Sequence, residues 1–543
     1  MDNPERVTYF AATDTRGKRI PFGIKQKDRA RHMYVIGKTG MGKSTLLENM
    51  AIQDIRNGEG LAFIDPHGGT VDKLLDYIPE NRVKDVVYFA PFDLEHPIAF
   101  NIMEDVGYDK RHLVVSGLMA AFKKIWVDAW SARMEYILTN TLLALLEYPD
   151  ATLLGVNRMY TDKSYRKKVV ENVKDPVVKD FWVKEFATYT DRYTQEATPA
   201  IQNKIGQFTS NPLIRNIIGQ PKSSFDLRTL MDDRKIIIIN LSKGLVGDTN
   251  TQLLGSMLTT RIFLAAMSRA NASARELALL PNFYFYVDEF QNFANETFAE
   301  ILSEARKYKL NLIIAHQYIE QMEEEVRDAV FGNVGTTVTF RVGPFDAETL
   351  ETIFTPEFVQ EDLVNLGFAQ IYLSLMIDGI GSRPFSAVTI PPIEPPPRTF
   401  RKEVLEASRT SFAAKRPDIE EAILKELSLV TEEAPQKTSE QGNGQGQKKK
   451  NKNRPPEKKA PPQNPPSAST TAADLKAAIQ AISKKVEETQ TKTEVGRHEA
   501  LKETLAHVAP KAAQSDVPPP PQGKKPAFEV PQENLEAVFK GDA

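Results

Sequence analysis

Gly37-Lys38-Thr39-Gly40-Met41-Gly42-Lys43-Ser44, followed by Thr45, is the stretch on which the fold turns. It fits the pattern G-x-x-x-x-G-K-[ST]. The glycines let successive backbone N–H groups turn inward around a polyphosphate. The Lys43 ammonium would reach the β- and γ-phosphates, and Ser44 would place a hydroxyl on magnesium. The flanks agree: Met33–Ile36 is short and apolar, as a buried strand is, and residues 44–57 run with helical periodicity until Gly58. Strand, Gly-rich turn and a helix N-terminus aimed at the phosphates make a complete anion-binding device.

Further along the chain, residues 61–64 and 86–89 read as strands. Strand character returns at 236–239, 283–287, 311–315, 336–341, 371–375 and 387–390, with helical patterns between most of them. Strands alternating with helices predict an α/β fold with a mostly parallel central sheet. Residues 103–231 show only helical periodicity and hold Trp126, Trp130 and Trp182. Because sheet strands flank this block on both sides, it reads as an all-α domain inserted between a first part of the core (1–102) and a second part (232–396). Residues 397–543 read as a low-complexity, largely disordered tail with short helices. Within it, 434–470 are rich in Pro, Gln, Lys, Gly and Ser and cannot bury enough apolar surface to offset ordering entropy. A basic run (Lys448, Lys449, Lys450, Lys452, Arg454, Lys458, Lys459) sits there, and Leu475, Ile479, Ile482 and Val486 fall at helical spacing beyond it.

Bulk properties exclude several classes. The chain of 543 residues has no cysteine, which removes disulfides, thiolate metal sites and cysteine nucleophiles. A net charge of −3 gives no global signature for nucleic acid, although a ring-shaped motor can keep a few basic residues in its pore. Neither a signal peptide nor an 18-residue apolar span is visible, so a soluble or peripheral protein is expected.

Three further motifs carry chemistry. Phe283-Tyr284-Phe285-Tyr286-Val287-Asp288-Glu289 is an apolar strand ending in two acids. Asp288 would hold the magnesium, and Glu289 would polarise the attacking water. Leu312-Ile313-Ile314-Ala315-His316-Gln317 ends a strand with an amide, making Gln317 a candidate γ-phosphate sensor, while His316 reads as an interior histidine. Asp65, in Asp65-Pro66-His67-Gly68-Gly69, would lie at the C-terminal end of a strand, where ligands bind in such sheets, and is a candidate nucleotide contact. Arg306 and Arg341 are candidate arginine fingers. The loop 243–250 is a candidate pore-facing segment.

Together with Arg29-Ala30-Arg31-His32, Asp288-Glu289-Phe290-Gln291, Glu304-Ala305-Arg306-Lys307-Tyr308 and Ala315-His316-Gln317, these motifs resemble the HerA/FtsK superfamily of hexameric P-loop ATPases. Within it, the chain is most similar to TraG/TraD-type coupling proteins of conjugative type IV secretion systems, whose all-α domain the helical insertion resembles. The resemblance covers roughly residues 5–395. It implies a RecA-like motor that assembles as a homo-hexamer, hydrolyses ATP with Mg2+ between subunits, and moves DNA, single-stranded in conjugation, through its pore. Relaxase and secretion-channel proteins are the implied partners. Typical coupling proteins carry N-terminal membrane helices, and this chain begins almost at the motor. A cytoplasmic protein is therefore expected, peripheral at the inner face of the membrane through partners or through its basic run on anionic lipid. Gly69 stands where many relatives have a Glu, so no role for that acid carries over.

The leading expectation is an ATP-driven DNA translocase acting in conjugation or type IV secretion. A secretion ATPase powering protein or pilin transport is the first alternative, and its turnover would be indifferent to DNA. A nucleotide-switched DNA-binding scaffold is the second, and it would tolerate Glu289→Gln.

Overall fold

A computed structural model describes residues 3–14, 18–190, 192 and 197–428. Its centre is an 11-stranded sheet. In chain order the strands are β1 (Val7–Ala12), β2 (Pro21–Lys25), β3 (Met33–Ile36), β4 (Gly60–Asp65), β5 (Val86–Phe89), β6 (Ile236–Asn240), β7 (Phe283–Val287), β8 (Leu310–His316), β9 (Thr336–Thr339), β10 (Gln370–Ser374) and β13 (Phe385–Thr389). The short pair β11 (Met376–Ile377) and β12 (Ile380–Gly381) forms a separate hairpin. The spatial order is β2-β1-β13-β10-β9-β3-β8-β7-β4-β6-β5. Every ladder from β9 to β5 is parallel, and the ladders joining β9, β10, β13, β1 and β2 are antiparallel. This is the expected mostly parallel sheet, extended by an antiparallel wing.

The parallel strands are apolar on both faces because both faces are covered. Met33, Val35, Leu61, Phe63, Ile236 and Ile238 share one core with Leu46, Leu47, Met50 and Ile55 of the helix Lys43–Arg56. Their alternates Tyr34, Ile36, Ala62, Ile64, Ile237 and Ile239 belong to a second core on the other face. That second core runs without a break into the helical block, through Val114, Leu118, Phe122, Ile137, Leu142 and Ile205. Helices occupy the block from Tyr108–Ile125 to Leu227–Asp232, and its apolar interior is continuous with that of the sheet. The long helix Asp248–Met267 bridges the two, approaching Tyr108–Ile125 so closely that a Cβ on Gly117 would lie 2.4 Å from Thr260.

Two expectations need correction. The body does not end near residue 396: helices Arg401–Phe412 and Arg416–Ser428 continue it. Val404 is buried in the first core, Ser408 accepts the Tyr88 N–H at 2.9 Å, and Ile419 and Ile423 cluster with Leu154. The segment 243–250 is not an open loop but a short helix, Lys243–Val246, leading into Asp248–Met267. The basic run Lys448–Lys459 and the more distal helical patterns lie outside the described residues. Among the described residues, no helix is long and apolar enough to cross a membrane.

Candidate functional site

The site forms where the parallel strands end. β3 leads into the Gly-rich turn, and the helix Lys43–Arg56 leaves it. The turn has no room for side chains where it leans on the end of β9: a Cβ on Gly37 would meet Phe340 Cβ at 2.5 Å. Gly42 adopts φ 121°, a conformation L side chains rarely take. Phe340 N–H binds Ile36 O at 2.8 Å and Lys38 N–H binds Arg341 O at 2.8 Å, so β9 fixes the loop from one side. On the other side Gly37 N–H binds His316 O at 3.3 Å.

Lys43 is buried beneath this loop and donates to Gly37 O at 2.6 Å and Lys38 O at 3.3 Å. Burial pulls its ammonium below the ordinary lysine value, and the charges of Glu289 and Asp288 pull it back up. Ser44 Oγ donates to Asp288 Oδ2 at 2.9 Å. These two residues are 244 positions apart in sequence, and they meet because β7 lies two strands from β3 with β8 between them. Burial, then the charge of Asp65, pushes the Asp288 carboxyl up to about 6, while Ser44 and Lys43 oppose the rise. Glu289 follows with a left-handed backbone, φ 47° and ψ 51°, costly for a non-glycine and held by its neighbours. Its N–H binds Asp288 Oδ1 at 3.0 Å, and its carboxylate accepts Gln291 Nε2 at 2.6 Å.

β8 delivers Gln317 to the pocket, where its amide donates to Thr39 Oγ1 of the loop and, at 3.3 Å, to Tyr318 Oη. His316 is buried, with Nδ1 3.2 Å from Tyr34 Oη. Burial, then the Lys43 and Lys124 ammonium charges, hold its imidazole down at about 3, so it stays neutral at physiological pH.

Lys38, Thr39, Gly40, Met41 and Thr45 complete the loop and the first helical turn, with Thr39 and Gly40 exposed. Asp65, the candidate nucleotide contact, ends β4 and is engaged by its own turn. Its carboxylate accepts N–H groups of His67 (2.7 Å), Thr70 (2.9 Å) and Val71 (3.4 Å), building the turn and capping the helix Gly69–Leu74. Its charge also raises the Asp288 carboxyl. The two arginines separate: Arg341 is at the loop through its carbonyl, whereas Arg306 lies exposed in the turn Ala305–Tyr308 before the start of β8, the strand end away from Gln317. Lys243 turns inward, donating to Asn292 Oδ1 at 2.8 Å and pairing with Asp248 at 2.7 Å.

The donor set fits magnesium: one hydroxyl and one carboxylate, both hard oxygens, beside a phosphate cradle. Among the described residues no group of three or more His, Asp or Glu side chains that could hold a metal ion forms. Gly-rich loop, buried lysine, hydroxyl–carboxylate pair and second acid on one parallel sheet define a P-loop nucleoside-triphosphate-binding protein.

The family model described as the type IV secretion-system coupling protein DNA-binding domain matches residues 18–365, well over half of the chain. The chain belongs to this coupling-protein family. No curated protein sequence matches it. Among solved structures, the unbound monoclinic form of the bacterial conjugative coupling protein TrwBΔN70 aligns with TM-score 0.52 at 13% identity, covering 72% of this chain and 91% of that one. Plasmid coupling protein TrwB with ADP and Mg2+ aligns with TM-score 0.52 at 14% identity, covering 70% and 89%. The same protein with a non-hydrolysable ATP analogue gives 0.51 at 14%, covering 74% and 98%. At such identities the likeness establishes a shared fold.

Proposed function

We propose that this chain is an ATP-driven DNA translocase, a coupling-protein motor of conjugation or type IV secretion. The observation that carries the reading is the meeting of Lys43, Ser44, Asp288, Glu289 and Gln317 at one sheet edge in a chain of the coupling-protein family. TrwB has been seen with ADP and Mg2+ and with an ATP analogue, which supports the same ligands here.

In this reading the loop N–H groups and Lys43 bind the β- and γ-phosphates. Ser44 and Asp288 hold magnesium, which when bound neutralises charge on the transferring phosphoryl group. Glu289 orients and deprotonates the attacking water, and Gln317 senses the γ-phosphate from β8. Arg306 and Arg341 are the two candidates for the finger that each subunit of a homo-hexamer places on its neighbour's nucleotide. DNA passes through the ring to relaxase and secretion-channel partners. The motor works in the cytoplasm, at the inner membrane face.

The test is ATP hydrolysis with and without single- and double-stranded DNA, alongside a mass measurement. Stimulation that grows with DNA length and a hexamer mass are expected. Turnover indifferent to DNA would instead mark a secretion ATPase. Lys43→Ala should abolish nucleotide binding, and Glu289→Gln should bind ATP and stall. Normal turnover by Glu289→Gln contradicts the proposed base.

A further inference from the structure

The turn that carries Glu289 is held from outside its own strand. Lys124, in the last turn of the helix Tyr108–Ile125, is a residue of the helical block. Its ammonium donates to Gln291 O at 2.5 Å and to Ala294 O, across 167 residues of sequence. Gln291 in turn donates its side-chain amide to the Glu289 carboxylate at 2.6 Å. Two charge-assisted hydrogen bonds, joined through the backbone and side chain of Gln291, thus link the helical block to the acid that follows β7.

The root of that chain is firm. The last turn of the helix that carries Lys124 is anchored by Phe122, whose ring stacks on Trp126 at 4.6 Å, and Trp126 stacks in turn on Phe208 at 5.6 Å. These aromatics belong to the interior of the block, so its packing fixes the helix end from which Lys124 projects. The ammonium is poorly hydrated there: burial pushes it down to about 8, against the pull of Glu323. Such a cation needs its two carbonyl partners, and losing either is costly.

The far end is mechanically sensitive. Glu289 occupies a left-handed backbone conformation, which a non-glycine keeps only where surroundings impose it. Asn292 Nδ2 adds a bond to Glu289 O at 2.8 Å, and Lys243 holds Asn292. Released from these bonds, the turn would relax and the carboxylate would swing.

We propose that Lys124 and Gln291 are positioning residues through which the helical block orients Glu289, so that the state of the block sets the rate of hydrolysis. The proposal rests on the reading of Glu289 as the base. A shift of the helix Tyr108–Ile125 loosens the hold on residues 291–294 and disorients Glu289, while the phosphate cradle, built from β3, β8 and β9, stays intact. The relay therefore acts on kcat and leaves nucleotide affinity alone.

Four variants of the full chain test it: Lys124→Met, Lys124→Arg, Gln291→Leu and the Lys124→Met/Gln291→Leu double. Steady-state hydrolysis with single-stranded DNA gives kcat and KM, and a fluorescent ATP analogue gives Kd. Lys124→Met and Gln291→Leu should each lower kcat by about 10- to 100-fold, as misorientation of a reacting group does, with Kd changed by less than about twofold. Lys124→Arg should recover most of the rate, and the double variant should be no slower than the slower single, because both break one chain. Additive losses in the double, unchanged kcat in Lys124→Met, or weaker nucleotide binding with kcat retained would each overturn the proposal. Should Lys124→Met fail to fold, Gln291→Leu decides alone, by its kcat against its Kd. Glu289→Gln separates the two readings: its normal turnover removes the base assignment, whereas its stall together with unaffected positioning variants removes only the relay.

Discussion

Asp288 shows what the pocket costs the fold. Burial first, then Asp65 and Glu289, raises its carboxyl from an ordinary 3.8 to about 6. Between those values the native chain holds a proton that the unfolded chain has released. The stability contributed by that proton is fully present below about pH 4 and lost as pH rises through about 6. Near neutral pH the buried, ionised group costs on the order of 2–3 kcal/mol. Asp288→Asn keeps the shape and an acceptor for Ser44, so it should raise the nucleotide-free melting temperature at neutral pH, with the gain shrinking toward pH 5. The same variant should lose hydrolysis and most of the stabilisation that nucleotide and Mg2+ give the parent. Scanning fluorimetry at the two pH values reads this, and a lower neutral-pH melting temperature for Asp288→Asn would reject it. The positions of Lys43, Ser44, Asp288 and Glu289 at strand ends were legible because each belongs to a motif that is local in sequence. Which partner a carboxylate takes is not local. Asp65 ends a strand as a ligand residue would, yet three backbone N–H groups claim it. Lys124 gave no signal, since its partners are carbonyls 167 and 170 residues away.

The plainest of the strands read from the sequence were those buried on both faces. β3, β4, β6, β7 and β8 are short apolar runs, and nothing in their sequences competes with a strand. β1 and β2 escaped notice for a physical reason. They form the outer antiparallel wing, and β2, Pro21-Phe22-Gly23-Ile24-Lys25, carries the two residues that mark turns. Gly23 is nonetheless required, because a Cβ there would lie 2.0 Å from Thr8 O. Gly117 poses the same question for helices. It sits mid-helix, where glycine is unfavourable, and the structure supplies the reason in the close crossing with Thr260. Gly117→Val must part Tyr108–Ile125 from Asp248–Met267, or distort both. A loss of about 1–3 kcal/mol, as for other overpacked cores, is expected in chemical denaturation. Unchanged stability would mean that the two helices separate freely.

At the scale of the molecule, the sheet and the helical block share an interior, and the chain beyond the sheet closes over both. The sequence reading placed the body's end near residue 396, at a run of prolines before polar, charged helices. Such helices look dispensable by composition: Arg401–Phe412 buries Val404 and Ser408, and Arg416–Ser428 buries little beyond Ile419 and Ile423. Their anchors are specific all the same. Ser408 takes the Tyr88 N–H on β5, the outermost strand of the parallel side, and Arg401 reaches Asp72 O at 2.8 Å. Ala413 bridges Ile98 at the entrance to the block, and Ile423 meets Leu154 within it. An open β5 would present unpaired backbone and apolar surface to other chains. Two truncations separate the possibilities. Ending the chain after Ser428 should leave the melting temperature and basal hydrolysis close to those of the full chain. Ending it after Pro397 should lower the melting temperature by several degrees, as losing a few kcal/mol of packing does, and should promote aggregation. Equal melting temperatures for the two truncations would return the boundary to residue 396 and leave both helices as passengers.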